Sequence, residues 1–126
     1  MFRNNQEVLL GGLYNEWMSN LLAYTEQLVA LEANIDQLLH TVVYGENEDF
    51  LRNLKTETAQ VKGFMKKVLE EVESAGQRFT APESGTIHVT LGEMVLRNRL
   101  RDKIRKLEQT TFLLKYRLNQ YLSKAS

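Results

Sequence analysis

The sequence of 126 residues contains no cysteine, which excludes disulfide bonds, thiolate nucleophiles and cysteine-ligated zinc sites. It also lacks any uninterrupted apolar run approaching the roughly 18 residues of a membrane-spanning helix. Its first residues, Met-Phe-Arg-Asn-Asn-Gln-Glu, have no apolar stretch behind their single positive charge, unlike a secretory signal peptide. We therefore expect a cytoplasmic protein that does not use a membrane as a partner.

Histidine, a common metal ligand and catalytic base, occurs only at positions 40 and 88. Helical di-iron proteins use Glu-x-x-His pairs, but the residue three positions before His40 is Gln37. His88 has Thr86 and Thr90 nearby, an arrangement too general to indicate a nucleophile and its base. The sequence therefore predicts no metal site, no cofactor and no enzymatic activity.

Neither the hydrophobicity nor the net charge has the extreme value of a disordered chain. Apolar residues make up 43% of the sequence and charged residues 25%, and the formal net charge at pH 7 is zero. The charges are unevenly placed, because residues 1–45 hold five acids and one base whereas residues 91–126 hold three acids and nine bases. We expect these segments to attract each other, within one chain or between chains. The length suits one domain spanning residues 1–126.

Apolar residues alternate at spacings of four and three along three long segments, the pattern of helices that pack along one seam. These rows predict helices over about residues 6–43, 48–74 and 91–122, the third beginning with a capping box, Thr90-Leu-Gly-Glu93. The predicted fold class is all-α: a helical bundle of three long antiparallel heptad-patterned helices with coiled-coil packing. The rows are Leu10, Tyr14, Trp17, Leu21, Tyr24, Leu28, Leu31, Ile35, Leu38 and Val42; Leu51, Leu54, Thr58, Val61, Met65, Val68 and Val72; and Leu100, Ile104, Leu107, Thr111, Leu114, Leu118 and Tyr121.

The connection between the second and third helices, residues 75–90, has the weakest helical pattern. It holds the only proline, Pro82, together with Gly76 and Gly85. Apolar residues at alternate positions flank this proline, which is typical of short strands. The pattern predicts either an irregular loop or a small β-hairpin. These apolar residues are Phe79, Ile87 and Val89.

Two features bear on how the helices align. A tight turn at Gly45 predicts an antiparallel hairpin of the first two helices. Pairing outward from this turn brings the end of the second helix beside Trp17, so that residues 6–16 would project past it. Thr58 and Thr111 interrupt the seams, and polar seam residues can set the register of packed helices.

The first helix carries more apolar surface than one partner requires. Beside its seam runs a second row, Met18, Leu22, Val29 and Ala33, and this wider face indicates contact with two neighbours. Its seam also holds aromatic residues of the kind that anchor protein interfaces. The candidate protein interface is therefore Tyr14, Trp17, Met18, Leu22, Tyr24 and Val29.

Six bases fall within ten residues of the third helix and form the candidate contacts for an anionic partner. At about 100° per residue, half of them lie on one flank of the seam and half on the other. A surface dedicated to nucleic-acid phosphates would group them on one side, whereas flanking placement is typical of arginines whose stems cover a seam. The first flank carries Arg97, Arg101 and Arg105, and the second carries Arg99, Lys103 and Lys106.

These patterns favour a non-enzymatic protein–protein interaction or assembly module that acts through helical faces and self-associates into a homo-oligomer. One alternative is a small export or secretion-type chaperone or adaptor, because such proteins are also short, cysteine-free helical bundles. A second alternative is a nucleic-acid-binding accessory protein that uses the basic stretch of the third helix.

Overall fold

The computed structural model describes residues 5–41, 46–79 and 90–125, with side chains described over 12–41, 48–78 and 90–124. Three helices make up this part of the chain: α1 (Asn5–Thr41), α2 (Glu46–Phe79) and α3 (Leu91–Ala125). The predicted all-α class with three long helices is confirmed, and no strand occurs within the described ranges. None of the three has the length and hydropathy needed to cross a membrane. The single domain and the cytoplasmic location stay predictions.

Within the described residues, the heptad rows of all three helices face inward and share one core. Leucine, valine and isoleucine side chains along these rows have little or no exposed surface, so hydrophobic burial along the seams is the main force that holds the helices together. The buried set comprises Tyr14, Leu21, Leu28, Leu31 and Ile35 of α1; Leu51, Leu54, Met65, Val68, Val72 and Ala75 of α2; and Leu100, Ile104, Leu107, Leu114 and Leu118 of α3.

Contacts between α1 and α2 show that the two helices are antiparallel. Asp36 of α1 pairs with Lys55 of α2, and Glu32, one turn earlier in α1, pairs with Lys62, two turns later in α2. The residue numbers of the partners therefore run in opposite directions along the two helices.

The same reasoning places α3 antiparallel to α2 and hence parallel to α1. Glu71, near the end of α2, pairs with Lys103 in the first half of α3. Glu57, nearer the beginning of α2, pairs with Arg117 in the second half of α3. The chain thus runs up, down and up through the three helices.

The predicted end of the second helix near residue 74 was wrong, because α2 continues to Phe79. Gly76 does not stop it: this glycine faces Tyr14, and a Cβ built on it would lie 3.4 Å from the Tyr14 Cβ. A glycine inside a helix costs about 1 kcal/mol relative to alanine, but it does not end this helix, and an added Cβ would make ordinary van der Waals contact with Tyr14. Ala75, buried beside it, adds to the same packing.

This extension also corrects the predicted overhang and connection. Tyr14 lies opposite Gly76, so the overhang of α1 does not reach residues 14–16 as predicted. Residues 75–79 are helical rather than part of a connection. Residues 80–89, where a loop or β-hairpin was predicted, and the predicted turn at Gly45 lie outside the described residues.

The two threonines in the seams are buried, but each satisfies its own hydroxyl group within its helix. Thr58 donates to the carbonyl oxygen of Leu54 at 2.7 Å, and Thr111 donates to that of Leu107 at 2.8 Å. Each hydroxyl therefore bonds a carbonyl four residues earlier and leaves the methyl group to pack in the seam. Neither of these hydrogen bonds crosses to a neighbouring helix, and the role of the two threonines in setting register stays a prediction.

The predicted start of α3 is confirmed at its N-cap. The Thr90 hydroxyl accepts a hydrogen bond from the backbone N–H of Glu93 at 3.1 Å, which satisfies one of the free amides of the first turn. The carboxylate of Glu93 is buried and accepts a hydrogen bond from the hydroxyl of Tyr14 in α1. The cap therefore ties the beginning of α3 to the first helix.

We expect Leu28→Ala to lower the free energy of unfolding by about 2–5 kcal/mol, because it leaves a cavity where a side chain has no exposed surface. Leu22→Ala is a matched control in the same helix, since Leu22 is 50% exposed. At protein concentrations where the chain is monomeric, the control should change the unfolding free energy by less than about 0.5 kcal/mol. Urea unfolding followed by circular dichroism measures both, and equal losses would contradict the described packing.

Candidate protein-interaction surfaces

The flank of α2 that borders the acidic helix α1 carries lysines. Lys55 lies 2.6 Å from a carboxylate oxygen of Asp36, and Lys62 lies 2.7 Å from one of Glu32. Lys55 and Lys62 are seven residues apart, which places them on one flank of α2. Both pairs are partly exposed, so each contributes at most about 1 kcal/mol to stability.

The opposite flank of α2 meets the basic third helix with glutamates. Glu71 accepts from Lys103 at 3.0 Å, and Glu57 pairs with Arg117. The Arg117 guanidinium also lies 5.9 Å from the centre of the Phe50 ring. The charges on the two flanks of α2 are thus opposite in sign and match the neighbour on each side.

Helices α1 and α3 are joined without charge neutralisation. In the described part of the chain, no ion pair within 4.0 Å links them, although α1 is acidic and α3 is basic. Their cross-helix hydrogen bonds include Tyr14 to Glu93 at 3.5 Å and Lys115 to Gln27 at 3.2 Å. The predicted attraction between the two segments therefore does not produce direct pairs between the described residues of α1 and α3.

An open groove runs along the α1–α3 junction. Tyr24 and Gln27 form its α1 wall, while Arg105, Phe112 and Lys115 contribute to its α3 wall. The groove continues past Ala30 and Asn34 of α1 towards Leu118 and Leu122 of α3. The α1–α3 junction thus carries an open surface groove between the two helices.

The predicted aromatic part of the candidate interface belongs to the core. Tyr14 is 2% exposed and its ring meets the edge of Trp17 with the ring centres 5.8 Å apart. Trp17, Tyr24 and Met18 are partly buried and pack against the core. These four side chains therefore serve mainly intramolecular packing.

The aliphatic part of the candidate interface is exposed. Leu22 is 50% exposed and Val29 is 51% exposed, and they lie seven residues apart on one row of α1. Met18 and the exposed Ala33 extend this row towards its two ends. We call the exposed residues Leu22, Val29 and Ala33 the α1 stripe.

A larger exposed apolar surface on α3 was missed as an interface in the sequence. Phe112 is 66% exposed, and Leu113 and Tyr116 are each more than half exposed. We call these three residues the α3 patch. Their signal was their position off the heptad row of α3, since a helix with a single apolar seam would carry polar residues there. Leu91, Met94 and Val95 are also exposed, at the start of the same helix.

The six predicted anionic-partner contacts have different surroundings on the two flanks of α3. Lys103 is bonded to Glu71 on the α2 side, whereas Arg105 lines the groove on the α1 side. Arg101 lies 3.8 Å from the adjacent Asp102. The positive charge of Arg97 lowers the pKa of Tyr14. The other two, Arg99 and Lys106, are exposed.

Tyr14 and Tyr24 have raised pKa values because burial disfavours their ionised forms. At Tyr14, the charge of Glu93 and the hydrogen bond to it raise the pKa further, while Arg97 lowers it. At Tyr24, the charge of Glu108 and a hydrogen bond to it act in the same direction as burial. Both tyrosines are therefore neutral where α1 meets α3, and the Tyr14 hydroxyl donates a hydrogen bond to Glu93 there.

No group of three or more His, Asp or Glu side chains in the described ranges is placed to hold a metal ion. His40 is exposed near the end of α1, and His88 lies outside the described residues.

No protein family, curated protein or solved structure matches this chain. The functional argument therefore depends on the helical surfaces themselves.

Raised tyrosine pKa values predict a loss of stability in alkaline solution. The folded state holds the phenolic protons of Tyr14 and Tyr24 more tightly than the unfolded state, in which the pKa is about 10.0. Their contribution to stability is fully present below that value and is lost as the pH rises through the higher folded pKa. We expect the double variant Tyr14→Phe, Tyr24→Phe to lose less unfolding free energy between pH 9 and 11 than the wild type.

Urea unfolding across that pH range measures the difference. Leu28→Ala is the control, because it should lower stability without changing its dependence on pH. Parallel pH curves for the wild type and the double variant would contradict the assignment of this effect to the two tyrosines.

Proposed function

We propose that this chain is a non-enzymatic protein–protein interaction or assembly module that self-associates through exposed helical faces. The observation that carries this proposal is the pair of apolar surfaces, the α1 stripe and the α3 patch, which remain exposed although all three seams are filled. Contiguous exposed apolar groups on a helix of a soluble protein mark interaction sites.

The long seams support this role by making the surfaces rigid. Leu21 and Leu28, which adjoin the α1 stripe, have no exposed surface, and Leu114, which adjoins the α3 patch, is buried. Surface residues on a packed helix lose little backbone freedom on binding, because that freedom is already restricted. Such preorganised faces suit association with another helical surface.

Two other proposals compete for the same surfaces. An export-type chaperone would keep the apolar surfaces available for a client segment, so it would be monomeric or dimeric until its client is added. A nucleic-acid accessory protein would instead use Arg101, Arg105 and Lys106 of α3. The exposure of these bases favours the nucleic-acid proposal, whereas the adjacent α3 patch favours a protein partner.

Molar mass measured by size-exclusion chromatography with light scattering tests self-association. We expect the wild-type mass to exceed 14.6 kDa at micromolar concentration and to rise with concentration. The variant Phe112→Gln should lower the mass, because it removes apolar area that association buries. Gln77→Ala is the control, because Gln77 is exposed on α2, and it should leave the mass unchanged. A monomeric wild type at every concentration would overturn the proposal.

The nucleic-acid alternative predicts binding to an arbitrary duplex that falls steeply as salt rises, because each phosphate contact releases counterions. The variant Arg101→Glu, Arg105→Glu should abolish such binding while the far-ultraviolet circular dichroism stays unchanged. Lys66→Glu, Lys67→Glu is the matched control, since these exposed bases lie on α2. We expect no salt-dependent binding by the wild type, and fluorescence polarisation measures it.

A further inference from the structure

The α1 stripe and the groove side of α1 point in opposite directions. Leu22 comes two residues before Tyr24, and Val29 comes two residues after Gln27. Two residues of helix correspond to a rotation of about 200°, so the stripe lies across α1 from the wall of the α1–α3 groove. Asp36, seven residues after Val29 on the same row, pairs with Lys55, so this row borders α2.

The α3 patch lies on a different side of the molecule. Phe112 lines the α1–α3 groove together with Tyr24 and Gln27, and Tyr116 follows it one turn later on the same face. The stripe and the patch are therefore separate surfaces, one bordering α2 and the other bordering the groove.

The net charges beside the two surfaces are opposite in sign. Glu26 is exposed between Leu22 and Val29, four residues after one and three before the other. Beside the α3 patch, the exposed bases Arg105, Lys106 and Lys115 outnumber one exposed acid, Glu108. In the described part of the chain, neither Glu26 nor any of these three bases has an ion pair within 4.0 Å with a group on the other surface.

These charges decide between the ways in which two copies can meet. A symmetric contact between two α1 stripes brings Glu26, at the centre of the row, towards its own copy, and one between two α3 patches places two surfaces of net positive charge against each other. Like charges at a contact are unfavourable, whereas stripe against patch joins acid to base and apolar surface to apolar surface.

We propose that the α1 stripe of one copy binds the α3 patch of the next, so that the protein associates head to tail. This inference rests on the proposed self-association and specifies its geometry. Because the two surfaces lie on different sides of the chain, each copy keeps one of them available after the first contact. Such heterologous contacts build a ring or an open chain rather than a twofold dimer.

Mixing two complementary variants tests the arrangement. The first variant, Leu22→Gln with Val29→Gln, loses the stripe but keeps the patch. The second, Phe112→Gln with Leu113→Gln, loses the patch but keeps the stripe. All four positions are at least half exposed, so both variants should fold, which circular dichroism checks.

Light scattering should find each variant monomeric when alone. An equimolar mixture should form a complex of twice the monomer mass that does not grow further with concentration, because each copy retains one working surface. The wild type at the same concentration should continue to grow beyond this mass or close into a ring of more than two copies.

Three outcomes would overturn the arrangement. If one variant alone retains the wild-type mass, a twofold contact through its intact surface explains association. If the wild type associates but the mixture stays monomeric, self-association stands and the head-to-tail contact fails. If the wild type is monomeric throughout, the proposed function and this inference both fail.

A charge exchange gives a second readout on the same contact. Glu26→Lys is added to the variant that keeps the stripe, and Arg105→Glu with Lys106→Glu is added to the variant that keeps the patch. Either change alone should weaken the complex of the two variants at least tenfold. Combining the two should restore at least part of the affinity, because the charges are again opposite. Unchanged affinity for all combinations would contradict the assignment of the charges to the contact.

Discussion

The opposite charges on the two flanks of α2 organise the rest of the structure. Lys55 and Lys62 meet the acidic α1, while Glu57 and Glu71 meet the basic α3. A middle helix of nearly balanced charge can therefore lie between two strongly and oppositely charged neighbours. Hydrophobic burial drives the assembly of the three helices, and the flanking pairs favour this order and these directions over alternatives.

This arrangement leaves the described parts of α1 and α3 with charges that no ion pair between these two helices neutralises. The junction between them relies on hydrogen bonds such as those of Tyr14 and Gln27, and it opens into a groove. Apolar residues that a fourth neighbour could cover lie at the edges of the assembly. The groove and the exposed apolar residues that indicate a partner thus occur away from the ion pairs that α2 forms with α1 and α3.

The seams could be predicted from the sequence because heptad spacing is a local property of a helix. Leu28, Met65 and Leu107 occupy seam positions, and all three are buried. The end of α2 could not be predicted in this way. Gly76 resembles a helix stop in isolation, and its role depends on Tyr14, which lies 62 positions earlier in the chain and contacts it only after folding.

The candidate surfaces were only partly predictable for a related reason. A second apolar row on α1 was visible, but whether Trp17 or Leu22 faced the core depended on where α2 and α3 lie. The α3 patch was missed because the prediction followed the heptad row of α3, and Phe112 and Leu113 lie off that row. The opposite charges on the two flanks of α2 could have been predicted from the sequence. Lys55 and Lys62 are one heptad apart, and Glu57 and Glu71 are two heptads apart.

The buried contact between Tyr14 and Glu93 has a consequence for the order of folding. It joins residues separated by 79 positions, whereas α1 and α2 meet across only a short connecting segment. Closing a longer loop has a larger entropic penalty, so contacts between α1 and α2 should form before those of α3. The hydroxyl of Tyr14 should then become buried last, when α3 packs against α1 and Glu93 supplies its hydrogen-bond acceptor.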